Sequence, residues 1–291
     1  MSRDLSSQFL GEELSARENN AESARFHVVP VPLEATVSYG SGTAAGPQAI
    51  LDASHQLERL IEGDEPCLSG IYTHPAIATD QPIEAVMLGL RQHTKQITEQ
   101  GKIAVTLGGE HSLSYGAVMG VADALNKPIG IVQIDAHADL RIAYQGHKHS
   151  HASVMHLLAE EGIRLAQYGV RALCTQESQS RLAHNVVFQD GPDLVRGAVH
   201  HVELPDDFPD DIYISFDLDG LDPAILPATG TPVPGGLGFY QALDIVASAC
   251  QGRRIVGMDI VELAPSPAHP ASDFAAAMVV YSLMRIANLA D

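Results

Sequence analysis

Seven acidic or imidazole side chains in this sequence have the types and the placement, each directly behind an apolar run, to build a site that holds metal ions: His111, Asp135, His137, Asp139, Asp217, Asp219 and Glu262. Asp135, His137 and Asp139 lie in KPIGIVQIDAHADL (residues 127–140), directly behind the apolar positions Ile129, Ile131, Val132 and Ile134. Side chains alternate along an extended chain, so if the strand conformation continues, all three point the same way, with only Ala136 and Ala138 between them. His111 follows Gly108-Gly109-Glu110, two glycines that let the backbone turn sharply at the end of an apolar run. Asp217 and Asp219 close the run Ile212–Phe216, and Glu262 follows the run Arg254–Asp259. Each has an ordinary reading of its own. Asp139 could cap a helix, His111 or His137 could be a buried and satisfied histidine, and Glu262 could be a surface carboxylate. Asp217 and Asp219 could form a turn before Gly220.

All of those readings must hold together for the metal reading to fail. Four aspartates and two histidines form an oxygen-rich donor set that suits Mn²⁺, with Zn²⁺, Ni²⁺ and Co²⁺ as alternatives and soft-metal chemistry disfavoured. Six donors are too many for one open catalytic ion and suit two ions that share carboxylates. Such pairs bring a bridging water toward ionisation near neutral pH, which makes a hydroxide nucleophile. The expected chemistry is hydrolytic.

Several strands must deliver these groups to one place. Phe26–Pro32 reads as a first strand, followed by a Gly-rich loop, Ser38–Pro47. That loop lacks both the Gly-Lys-Ser/Thr of a phosphate loop and the G-x-G-x-x-G order of a dinucleotide site. Pro47 suits the start of a helix running to about Glu62. Residues 82–100 form an amphipathic helix ended by Gly101, and strand Lys102–Leu107 leads to His111. A helix follows to about Leu125. Beyond residue 140, helices are expected near 153–160, 175 and 239–250, and strands at 164–170, 186–188 and 198–202. The closing helix has one apolar face: Phe274, Ala277, Met278, Tyr281 and Met284. Strands alternating with helices predict a parallel sheet covered on both faces, with ligands at the carboxyl ends of its strands. That rule puts the four donor groups on one edge.

The bulk properties are those of an ordinary soluble globular protein. The chain has 291 residues, and 45% of them are hydrophobic against 18% charged. A polar, Glu-rich stretch over residues 1–25 predicts a flexible or loosely docked arm, with 26–291 as a single α/β domain. A net charge of −19 excludes the electrostatic footprint of nucleic-acid or anionic-membrane binding; it would attract a cationic substrate, or simply aid solubility. Cys67, Cys174 and Cys250 are odd in number and far apart, neither a disulfide framework nor a thiolate cluster. No signal-peptide core or membrane span is legible, so a cytoplasmic setting is expected.

The ordered motifs Gly-Gly-Glu-His-Ser (108–112), Asp-Ala-His-Ala-Asp (135–139), Ser-Phe-Asp-Leu-Asp-Gly-Leu-Asp-Pro (215–223) and Val-Glu (261–262) resemble the signature set of the ureohydrolases. That family includes arginase, agmatinase and formimidoylglutamase, and the resemblance runs from about Val28 to the C-terminus. It implies a three-layer α/β/α fold with a central mostly parallel sheet and a binuclear Mn²⁺ site that hydrolyses a guanidinium or amidine group. One ion would take His111, Asp135, Asp139 and Asp217; the other would take Asp135, His137, Asp217 and Asp219. Asp139 would also move a proton, Glu262 would hold the guanidinium nitrogens, and His151 in His-Ser-His-Ala-Ser would be the proton shuttle. The family usually has Gly after that histidine, where Ala152 stands here. Homo-oligomers, trimers or hexamers, are implied as well.

Within the family the chain looks closest to prokaryotic agmatinases, which release urea and putrescine from agmatine, a step of polyamine biosynthesis. The segment after the central motif, Arg141-Ile142-Ala143-Tyr144, lacks the Asn with which arginases meet an amino acid's head group. It also lacks the acidic residues that agmatinases tend to carry there. Arg141 could meet a substrate carboxylate, which would favour guanidinobutyrate, or be a solvated cation; aminopropylagmatine, arginine and small guanidines stay open. Two other classes fit the residues less well. A non-catalytic subunit of a mixed oligomer would not need an intact donor set with His151 and Glu262. A two-metal phosphoesterase would want more cations near the central motif than Arg141 and Lys148.

Overall fold

The computed structural model describes residues 7–290. Its centre is one eight-stranded sheet in the order β2-β1-β3-β8-β7-β4-β5-β6. The strands are β1 (Phe26–Val31), β2 (Ile71–Thr73), β3 (Ile103–Gly108), β4 (Gly130–Ile134), β5 (Arg164–Tyr168), β6 (Val187–Gln189), β7 (Asp211–Asp217) and β8 (Arg254–Val261). Every neighbouring pair is parallel. A parallel sheet needs both faces covered, and β1, β3, β4 and β7 are buried along their whole length. One face packs against α1 (Gly46–Ser54), α6 (Gly191–Arg196), α7 (Phe239–Ala249) and α8 (Pro270–Leu289). The other packs against α2 (Ile83–Glu99), α3 (Ser114–Leu125) and α4 (Val154–Glu160). The expected layered α/β architecture is therefore what forms. A further helix, α5 (Thr175–Ala183), lies between β5 and β6. No helix among the described residues is long and apolar enough to cross a membrane.

Three local expectations need correcting. Of the arm expected over residues 1–25, residues 1–6 lie outside the described residues, and the part from residue 7 is docked rather than loose, with Phe9 and Leu10 completely buried in the main core. The Phe9 ring lies 6.3 Å from that of Tyr281 on α8, and the Tyr281 hydroxyl donates to the Arg59 carbonyl at 2.6 Å. This second layer of chain explains why α8 is buried on more than one side, with Val279, Val280, Leu283 and Met284 all inside, while Phe274 is 42% exposed. Residues 198–202 form no strand; they are irregular, and α6 precedes them. The first helix ends at Ser54, well short of Glu62, and Glu62 has a φ of 49°, outside the helical region.

Candidate metal centre

β3, β4, β7 and β8 are the four central strands, and each ends in one of the motifs. At the end of β3, Gly109 passes so close to Leu33 that a Cβ would overlap the Leu33 carbonyl oxygen. The glycine is therefore required by close approach rather than by a left-handed turn. The Gly109 amide donates to the Val31 carbonyl at 3.0 Å, and the Glu110 amide to the Leu33 carbonyl at 2.8 Å. His111 follows, completely enclosed.

His111 Nδ1 lies 3.0 Å from Asp139 Oδ2, 3.2 Å from Asp135 Oδ2 and 3.3 Å from Asp217 Oδ2. His137 Nδ1 lies 3.1 Å from Asp219 Oδ2 and 3.6 Å from Asp135 Oδ1. Donor atoms of His111, Asp135 and Asp217 form one group within 4.8 Å, and those of Asp135, His137 and Asp219 form a second, with Asp135 common to both. All six predicted donors thus converge, and they divide into two overlapping sets. The backbone reason differs from simple strand alternation. Asp139 has φ 52°, a left-handed conformation uncommon for aspartate, which turns its carboxylate back toward His111. Its carbonyl accepts from the Met155 and His156 amides at 3.1 and 3.2 Å, in the first turn of α4. The helix is thus served by the Asp139 backbone, and the side chain stays in the basin.

The proton inventory tests whether cations fit. Ser215 Oγ donates to Asp259 Oδ1 at 2.8 Å, so its single proton is committed. It must accept from His111 Nε2–H, 2.9 Å away. A neutral His111 then turns an unprotonated Nδ1 toward three carboxylates, and among the described residues Nδ1 has no hydrogen-bond partner of its own. Lone pairs that face one another in a buried site need a positive charge between them. The same shortage appears in the proton affinities. Burial works against charging His111, yet Asp135, Asp139 and Asp217 raise its pKa well above the usual value. His137 is likewise pushed up to about 12, against burial, by Asp135 and Asp219. Burial, joined by Asp135, pushes Asp139 up to about 7; burial with Asp219 and Asp135 pushes Asp217 well up. The donor set fits a pair of divalent cations.

Glu262 also has a left-handed backbone, φ 68°. Its amide donates to the Gly109 carbonyl at 2.9 Å, and Oε1 accepts from the His111 amide at 2.6 Å. Among the described residues Oε2 receives no hydrogen bond, and burial pushes this carboxyl up to about 8. His151 sits nearby on a different loop. Thr36 Oγ1 donates to Glu110 Oε1 at 2.8 Å, so the His151 Nδ1–H, 3.2 Å away, donates to Thr36. This fixes the tautomer and leaves Nε2 as the basic nitrogen, 3.5 Å from Ser38 Oγ. Burial lowers the His151 pKa, which keeps the ring neutral.

Several supporting residues reveal their roles only in the fold. Glu110, completely buried, accepts from the Ala35 and Thr36 amides at 2.5 and 2.6 Å and so ties the first loop to the site. Arg171 donates to the carbonyls of Gly169, Asp219, Gly220, Leu221 and Val233, which holds the loop bearing Asp219. Gln133 donates to Asp135 Oδ2 at 2.7 Å, and Gln167 donates to Gln133 at 2.7 Å. Only one local signal was available: polar Gln133 and Gln167 interrupt apolar strands. Arg141, considered as a carboxylate receptor, lies 3.8 Å from Glu177 Oε2 and 5.2 Å from the Tyr144 ring centre.

A model of the Arginase family matches residues 24–285. The chain is 36% identical over 275 residues to N(1)-aminopropylagmatine ureohydrolase from Synechocystis sp., covering 88% of this chain and 87% of that protein. It is 30% identical over 246 residues to agmatinase from Pyrococcus horikoshii, covering 83% of this chain and 84% of that one. The agmatine ureohydrolase of Thermoplasma volcanium superposes with a TM-score of 0.81 at 28% identity, over 94% of both chains.

Proposed function

The chain belongs to the arginase family, and from that premise we propose that it is a ureohydrolase that cleaves agmatine to putrescine and urea with two Mn²⁺ ions. The observation that carries this reading is the pair of donor clusters joined at Asp135, with Glu262 beside them. In the proposal one cation is held by His111, Asp135, Asp139 and Asp217, and the other by Asp135, His137, Asp217 and Asp219. The oxygen-rich set favours Mn²⁺ over softer ions, with Ni²⁺, Zn²⁺ and Co²⁺ compatible with the same donors. When bound, the cations supply Lewis acidity and bring a water close to ionisation at neutral pH.

The protein's own groups do the rest. Glu262 Oε2, which receives no hydrogen bond among the described residues, takes the guanidinium N–H groups through charge-assisted hydrogen bonds. The planar guanidinium carbon is thereby presented to the nucleophile. Asp139 takes the nucleophile's proton and passes it toward the departing amine. His151, neutral and with Nδ1 committed to Thr36, exchanges protons with solvent at Nε2. The net charge of −19 concentrates cationic substrates near the protein. The proposal carries with it a cytoplasmic setting and a homo-oligomeric assembly.

A second substrate, N(1)-aminopropylagmatine, is favoured by the name of the Synechocystis relative. It shares the guanidinium end and differs in its longer cationic tail. Guanidinobutyrate is disfavoured because Arg141 is already engaged by Glu177 and Tyr144. Urea release should be measured with Mn²⁺-loaded protein on all three compounds and on arginine. The expected result is a higher kcat/KM for agmatine or its aminopropyl derivative than for either carboxylate-bearing guanidine. The reverse order would overturn the substrate assignment.

A further inference from the structure

A second group of metal-ligand side chains lies outside the basin and has no part in the reaction described above. His156 and Glu160 are one helical turn apart on α4, so their side chains share a face. His184 caps the C-terminal end of α5 and reaches the same place. One donor atom from each of the three lies within 4.8 Å of the others. His184 Nε2 is 3.5 Å from Glu160 Oε1, and the two imidazole rings are 5.8 Å apart, edge to face.

From this arrangement we propose a third, peripheral metal site, formed by His156, Glu160 and His184, that takes a Zn²⁺-class divalent cation and clamps α4 to the end of α5. An independent observation points to a ligand: among the described residues His156 Nδ1 is buried and has no hydrogen-bond partner. A buried imidazole nitrogen without a partner is costly, and a metal ion would satisfy it. Two imidazoles and one carboxylate form a recognised zinc donor set, distinct from the carboxylate-rich basin that suits Mn²⁺. Burial also lowers the His156 pKa, which favours the neutral, ligating form. Glu160 is on the solvent side, so an ion has a route of entry.

The site touches the machinery through the backbone. The His156 and Met155 amides hold the Asp139 carbonyl, while Glu177 of α5 accepts from the Leu140 amide at 3.3 Å. A cation bridging the two helices would therefore add to the stability of this end of the fold without touching the reacting groups.

The test compares the full-length, Mn²⁺-loaded protein with His184→Ala and Glu160→Ala after dialysis against micromolar free Zn²⁺. Total Mn plus Zn per chain is counted by elemental analysis, and melting temperature is followed with and without Zn²⁺. The parent is expected to retain one more equivalent of metal than either variant. Zn²⁺ should raise the parent's Tm more than theirs, because an ion bound only to the native state stabilises it. Both variants should keep the parent's Mn²⁺-dependent urea release. Equal metal content in the parent and either variant would overturn the proposal. The readout is a difference between parent and variant, so it does not depend on how many ions the Asp135 basin holds.

Discussion

Ser215 has one hydroxyl proton, and its commitment to Asp259 governs how His111 meets the basin. Partners behind a ligating histidine typically change metal affinity by about 10–100-fold when removed. Ser215→Ala should therefore weaken metal binding by about that factor while the fold is kept, as read by titration with Mn²⁺. Unchanged affinity would mean that the Ser215–Asp259 pair is structural only. His151 is proposed to act differently, since its links are to Thr36 and Ser38 and not to the carboxylates. His151→Ala is expected to keep its full metal content and to lose about 100-fold or more in kcat, the usual contribution of a proton-transfer group. Metal loss in that variant would contradict the role. These residues also mark the limit of what the sequence reveals. Asp135, His137 and Asp139 announce themselves by type and spacing at the end of an apolar run. Asp259 and Arg171 act through partners that are distant in sequence, and no local pattern marks them; Glu110 and Ser215 fall inside the motifs, but what they bind is not legible there.

The strand ends work because the elements behind them are tightly constrained. β3 delivers His111 only if Gly109 passes against Leu33, where a Cβ has no room. Gly109→Ala should cost about 3 kcal/mol or more, since the obstacle is backbone that cannot yield. A denaturation midpoint unchanged from the parent would show that the β3 end is less tightly held than described. The N-terminal segment shows why a polar composition misleads. Residues 1–25 are rich in Glu and Ser, yet Phe9 and Leu10 supply the apolar contact that docks residues 7–25 on the α8 side of the core. Two consecutive apolar side chains show no periodicity, so sequence reading registers only the polar residues around them. Phe9→Ala is expected to lower stability by about 3–5 kcal/mol, the range for a fully buried phenylalanine. A loose arm would show almost no change. The alternating order of strands and helices was legible for the opposite reason, because long buried runs and amphipathic helices repeat regularly along the chain.

At the scale of the whole molecule, a second group of buried and half-buried histidines behaves oppositely to those of the basin, with proton affinity lowered rather than raised. His27, His74 and His93 cluster away from the site, with His27 Nδ1 2.8 Å from His74 Nε2. Burial, then repulsion from His93 and His27, lowers the His74 pKa from 6.5 to about 4. Burial lowers the other two as well. A folded-state pKa below the unfolded value means that the unfolded chain binds more protons in between. The stabilisation is therefore present above 6.5 and is lost as pH falls toward about 4. The Tm of the parent should fall between neutral and mildly acidic pH, and His74→Gln should show a shallower fall; equal slopes would contradict the linkage. The central claim is that two cations in the Asp135 basin enable hydrolysis of a guanidinium group, and urea release answers it most directly. Protein stripped by a chelator and then reloaded with Mn²⁺ should regain two ions per chain in the basin and, with them, urea release from agmatine or N(1)-aminopropylagmatine. Protein that binds both ions and releases no urea from any guanidine would contradict the account.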